Sequence, residues 1–136
     1  MYEYFEHTAD VGIRVRAASL EELFAEAGAA LMAFMLDAPA PGPTATQRTF
    51  ELAADDLEEL LHEWLSELLY TYETEHLVLG DFRVKLRDNA LTAEGWAEPL
   101  VPKRHLPSHE VKAVTYHALT VQQGDNGYLA EVVLDI

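Results

Sequence analysis

The sequence has 136 residues, a length that suits one domain, and sets 9 Lys and Arg against 24 Asp and Glu, a formal net charge of -15. Apolar residues make up 49% of it and cysteine is absent, which excludes an acidic disordered tail, a disulfide framework, a thiolate zinc site and a cysteine nucleophile. A field of this sign repels RNA and DNA, so no direct nucleic-acid contact is expected.

The chain starts Met1-Tyr2-Glu3-Tyr4-Phe5-Glu6, acidic where a secretory signal would be basic. Its longest apolar run, Ala27 to Leu36, is ten residues, well short of the ~18 of a membrane span. A cytoplasmic domain with no membrane partner is expected, spanning residues 1–136.

Tyr2 to Glu6 reads as a first strand. His7-Thr8-Ala9-Asp10 interrupts it as a polar turn. Gly12 to Ala17 alternates, with Ile13 and Val15 on one face and Arg14 and Arg16 on the other, the pattern of a half-buried strand. Ser19-Leu20-Glu21-Glu22 is a capping box. The apolar positions Leu20, Leu23, Phe24, Ala27, Leu31, Phe34 and Met35 then form the stripe of a helix that ends near Leu36. Pro39, Pro41 and Pro43 make the following segment a stiff extended connector.

Arg48 to Ala53 predicts a strand. Asp55 or Asp56 starts a second helix, with apolar residues at Leu57, Leu60, Leu61, Trp64, Leu65, Leu68, Leu69 and Tyr72. Glu58, Glu59, Glu63 and Glu67 fall mostly off that stripe and should face water. After His76 the period changes to two. Strands are predicted over Leu77–Leu86, Ala90–Glu98, Glu110–Tyr116, Ala118–Gln123 and Tyr128–Ile136, with turns at Arg87-Asp88-Asn89 and Gly124-Asp125-Asn126-Gly127. The fold class is therefore α+β: two amphipathic helices on one face of a largely antiparallel sheet, in the order β-β-α-β-α-β-β-β-β-β.

Charge is unevenly placed. Residues 1–76 hold three bases and sixteen acids, a net of -13, and Thr49 to His76 holds nine acids and no base. Such a face either keeps the protein soluble or docks a basic partner.

Four places could carry chemistry. His7 and Asp10, three apart in a turn, can converge on a cation or a phosphate, although Asp10 also suits an Asx turn. The last strand stays apolar to its end, so Asp135 and the Ile136 carboxylate would be held together. Two carboxylates so placed repel unless a proton or a cation comes between them. All-oxygen donors favour Ca²⁺ or Mg²⁺ over zinc or copper. Lys112, predicted to point away from the Val111 face toward Tyr116, would meet an anion or a carboxylate. His105 and His109 have a zinc-like spacing, but Pro107 breaks the helix that would bring them together. No nucleotide-loop or hydrolase motif is present.

Five stretches combine into a known pattern: His7-Thr8-Ala9-Asp10-Val11-Gly12; Leu20-Glu21-Glu22-Leu23-Phe24; Leu60 to Tyr70; Glu110-Val111-Lys112-Ala113-Val114-Thr115-Tyr116-His117; and Leu134-Asp135-Ile136. In order and spacing the sequence resembles the archease family. That resemblance implies a compact α+β domain that is not itself an enzyme. It implies an accessory protein of the GTP-dependent RNA ligase of tRNA splicing, which assists guanylylation of the ligase's active-site histidine and permits multiple turnovers. It also implies a divalent-metal site at Asp10, Asp135 and Ile136, calcium first, with magnesium or manganese as alternatives. Lys112 is implied to be functionally important, and His7 and His117 belong to the same motifs as neighbours of the site. One departure is Gly95-Trp96, where many members have Gly-Glu; another is the proline-rich Pro99–His109 loop. Two alternatives stay open from the residues alone: a metal-dependent phosphoester hydrolase using His7 or His117 as base, and a general chaperone of nucleic-acid enzymes.

Overall fold

The computed structural model describes residues 1–7 and 10–136, and the side chain of His7 is outside the described set. The predicted His7-to-Asp10 turn therefore lies, in its Thr8-Ala9 middle, outside the described residues. Chain order is β1 (Tyr2–His7), β2 (Asp10–Ala17), α1 (Leu20–Met35), β3 (Thr46–Ala53), α2 (Leu57–Glu75), β4 (Leu77–Arg87), β5 (Ala90–Pro99), α3 (Pro102–His105), β6 (Ala113–Val114), β7 (Thr120–Gly124) and β8 (Gly127–Asp135).

The helix starts follow their caps. Ser19 accepts from the Glu22 N–H, and Asp56 accepts from the Glu59 N–H at 2.8 Å. Glu21 and Glu22, then Glu58 and Glu59, put negative charge in the first turns, where the helix dipole favours it. α1 stops at an extended Leu36 before the prolines, and α2 stops at His76, which is left-handed with φ 54°.

The sheet is a correction to the sequence reading. There are two antiparallel sheets, not one: a five-stranded sheet in the order β1-β2-β8-β6, with β7 also on β8, and a three-stranded sheet β3-β5-β4. β6 and β7 share one edge of β8. β7 lies along its start, from Gly127 to Glu131, and β6 along its end, at Leu134 and Asp135. Two further differences matter. A short helix, α3, with Pro102 in its first turn, sits inside the predicted proline loop. The strand predicted over Glu110–Tyr116 narrows to Ala113–Val114.

Both helices bury their stripes between the sheets. Leu23, Phe24, Ala27 and Leu31 of α1 and Leu60, Leu61, Trp64, Leu65 and Leu68 of α2 are fully buried. Trp64 is the pivot. Its Nε1–H donates to the Phe24 carbonyl at 2.9 Å, and its ring meets Phe50 and Phe82 edge-on, each 5.4 Å away. Phe34, placed in the apolar stripe by its spacing, is only half-buried and lies against Tyr4 and His109. No helix among the described residues is long and apolar enough to cross a membrane.

Candidate functional site

β2 and β8 are neighbours in the middle of the five-stranded sheet, and alternation decides what each shows. Ile13 and Val15 of β2, and Ala130, Val132 and Leu134 of β8, are buried toward the helices. The intervening residues, Asp10, Gly12, Arg14 and Arg16 on β2 with Glu131, Val133 and Asp135 on β8, therefore form the outer face.

The register stacks this face in rows. Arg14 lies opposite Glu131 on one side and Glu3 on the other, and bonds both: Nε to Glu131 at 2.9 Å and Nη1 to Glu3 at 3.2 Å. Arg16 also donates to the same Glu3 oxygen, at 3.0 Å, and the Arg16 bond, then the Arg14 bond, hold the Glu3 carboxyl below the ordinary range. The next row is Phe5, Gly12 and Val133. The Phe5 ring lies on Gly12 so closely that a Cβ there would strike it, and the Arg14 guanidinium sits 4.7 Å above that ring. Gly12 is thus required by the close approach of an aromatic ring. The last row is His7, Asp10 and Asp135, flanked by Ala113 of β6.

Asp10 lies directly opposite Asp135. The Asp135 carbonyl accepts from the Lys112 N–H at 2.8 Å, so it is turned toward β6 and away from Asp10. The two aspartates are then a non-hydrogen-bonded pair, the antiparallel arrangement in which side chains stand closest. Like charges directly opposite destabilise a sheet. An oxygen donor set of this kind suits a hard divalent cation. Among the described residues no three His, Cys, Asp or Glu side chains are grouped so as to hold a metal ion. Ile136 follows Asp135 directly and is partly exposed.

The sequence reading turned Lys112 away from the Val111 face, and Lys112 is indeed exposed beside buried Val111, but the alternation breaks at the next residue. Val111 and Val114 are both buried, and Lys112 and Ala113 between them are both exposed. Ala113 is the register partner of Asp135, while Lys112 supplies the N–H to its carbonyl. Two residues oppose one, the local irregularity that re-aims a side chain at a sheet edge. His117 is exposed, and its N–H bonds the Thr115 hydroxyl. Its segment is fastened to α2 by His62, whose Nε2–H donates to the Val114 carbonyl at 2.8 Å and whose ring stacks on Tyr116 with centroids 3.7 Å apart.

The two other histidines are separate. His105 is buried, with Nδ1 accepting from the Val101 N–H and Nε2 bonded to Glu98. His109 is exposed, donates from Nδ1 to the Phe34 carbonyl and stacks on the Phe34 ring. Both ring nitrogens of His105 are engaged, which rules out a zinc pair with His109 in this arrangement. Sequence reasoning missed the Glu98–His105 contact; its one available signal was the Pro102 helix start, which folds the chain back on itself.

Residues 2–136 match the Archease protein family. "Protein archease" of Sulfurisphaera tokodaii is 36% identical over 137 residues, covering 99% of this chain and 98% of that protein. Its counterpart from Methanopyrus kandleri is 39% identical over 142 residues, covering 99% of each. The solution structure of Methanobacterium thermoautotrophicum protein 1598 superposes with a TM-score of 0.81 at 33% identity, covering 99% of this chain and 98% of that one. The crystal structure of an archease from Thermotoga maritima, described as a possible chaperone, shares the fold with a TM-score of 0.64 at 22% identity, covering 100% of this chain and 98% of that one.

Proposed function

The chain belongs to the archease family, and from that premise we infer that it is a non-catalytic accessory protein that activates the GTP-dependent RNA ligase of tRNA splicing. In this reading it promotes guanylylation of the ligase's active-site histidine and restores the ligase for further turnovers. The observation that carries the reading is the row in which Asp10 opposes Asp135 while the Lys112 N–H holds the Asp135 carbonyl.

Asp10, Asp135 and the main-chain oxygens of Ile136 would hold a divalent cation, calcium first, with magnesium or manganese able to replace it. The bound ion would supply positive charge for triphosphate oxygens at the ligase's nucleotide site. The protein's own part is positional. The Arg14 ion pairs and the Phe5 ring brace the outer face, and Lys112, exposed and bonded through its backbone to Asp135, would serve as an anion contact. The net charge of -15 favours a basic protein surface as the partner, with the RNA held by that partner.

Ligation by the cognate ligase at substrate excess tests this. The wild-type protein should raise turnover, and Asp10→Ala and Asp135→Ala should not. Undiminished stimulation by both variants overturns the carboxylate role. The hydrolase alternative gains no support from the Glu98–His105 couple, because both side chains are shut away from solvent.

A further inference from the structure

A cleft of about 590 Å³ opens between the last turn of α2 and the segment that leads into Lys112. Its apolar base is Met35, Leu100 and Val111, and carboxylates stand on both walls, Glu73 on α2 and Glu110 on the facing segment. No Lys or Arg lines it. The walls are pinned: the Leu100 N–H donates to the His76 carbonyl at 2.8 Å, and the Ser108 N–H donates to the Met35 carbonyl at 2.9 Å.

Several observations give the cleft a sign. The last turn of α2 carries no base, so the negative end of the helix dipole is uncompensated there. Neighbouring Glu75 is taken by Arg48, bonded through both carboxylate oxygens at 2.9 and 2.7 Å. Glu73 and Glu110 have no ion-pair partner among the described residues. The half-buried Tyr72 phenol is pushed above its ordinary value chiefly by burial, with the Glu73 charge as the smaller contribution.

An apolar base beneath two carboxylates matches a long cationic side chain, whose stem needs cover and whose head needs anions. The flat Tyr72 ring in the lining favours a planar guanidinium over a compact ammonium. We propose that this cleft seats an arginine side chain of a protein partner. That the partner is a protein rests on the accessory-protein reading above; the pocket itself is tested on the chain alone. Val111 lines the cleft and Lys112 follows it, so a seated arginine would anchor the partner one residue from the carboxylate row.

The probe is N-acetyl-L-arginine methylamide, titrated into the isotope-labelled full chain and read by amide and imidazole NMR shifts. Saturable shifts should appear at His76, His109 and Val111. The lysine analogue should bind more weakly. Glu73→Gln combined with Glu110→Gln should weaken binding about fivefold, two exposed charge contacts together, with the remaining spectrum unchanged. Absent shifts, shifts spread evenly along the acidic face of α2, equal binding of the lysine analogue, or undiminished binding by the double variant would each overturn the assignment. Loss of ligase stimulation in Asp10 or Asp135 variants bears on the accessory function and leaves this result untouched.

Discussion

Nε2 of His105 lies 2.6 Å from Oε1 of Glu98, and both side chains are buried. The Val101 N–H occupies Nδ1, so Nε2 carries the proton and donates it to the carboxylate. Arg104 reaches the other Glu98 oxygen at 3.3 Å. The Asp37 and Ala38 N–H groups bond the Leu106 and His105 carbonyls, which ties the end of α1 and the proline segment to α3. One buried couple thus fastens the connector, the end of β5 and the start of the path to Lys112.

Acid should release this fastening. Burial pushes the Glu98 carboxyl up, but the His105 bond, the Gly42 N–H and the Arg104 charge together outweigh it and hold it below the ordinary range. A carboxyl whose folded pKa is depressed contributes stability above its unfolded pKa and loses it as pH falls through the folded value. Thermal melts of the wild type should therefore drop on the acid side of the ordinary carboxylate range. Glu98→Gln should melt lower at neutral pH and show a flatter acid limb. His105→Ala, which leaves the buried Glu98 carboxylate short of a donor, should cost about 1–3 kcal/mol, more than Glu98→Gln. An equal acid limb in Glu98→Gln would show that other carboxyls set it.

Trp64 should be irreplaceable by size alone. Trp64→Phe keeps a ring between Phe50 and Phe82 but takes from the Phe24 carbonyl the second donor it has besides its helical N–H, at about 0.5–1.5 kcal/mol. Trp64→Ala adds a cavity and should cost about 3–5 kcal/mol. Chemical denaturation midpoints decide it; indistinguishable variants would mean that the hydrogen bond contributes nothing.

Gly12 predicts a coupled pair. Gly12→Ala must lift the Phe5 ring, at about 1–3 kcal/mol for overpacking. Phe5→Leu should relieve part of that, so the double variant should be more stable than the sum of the single costs implies. Strict additivity would mean that the ring moves aside freely.

These results sort what was legible in the sequence from what was not. Ser19, Asp56 and the two-residue hairpin loops at Asp88-Asn89 and Asp125-Asn126 act within a few residues of themselves, so they could be read directly. Alternation along β8 was equally local, and it put Asp135 on its face; Asp10, read as the end of a polar turn, is instead the first residue of β2. Pairing was not local. Nothing in the strand patterns says that β8 would take β2 on one edge and share the other between β6 and β7, or that β3, β4 and β5 would form a second sheet. The Glu98–His105 contact and the shift at Lys112 both depend on where distant backbone ends up, and periodicity carries no such information.

The carboxylate row makes predictions of opposite sign. Asp135→Asn removes one of two directly opposed charges, so without metal the variant should be as stable as the wild type or more stable, by about 0.2–1 kcal/mol. On the proposed metal site, calcium at a hundred times its Kd should stabilise the wild type by about 2.7 kcal/mol, the value for a ligand that binds the folded chain alone. Asp135→Asn should lose that increment. Melting temperatures with calcium and with a chelator, for both proteins, give the four values needed. A wild type indifferent to calcium, magnesium and manganese removes the metal from the site. A variant destabilised in chelator would show instead that Asp135 is held by a positive group of the protein itself, and the row would be a structural ion pair.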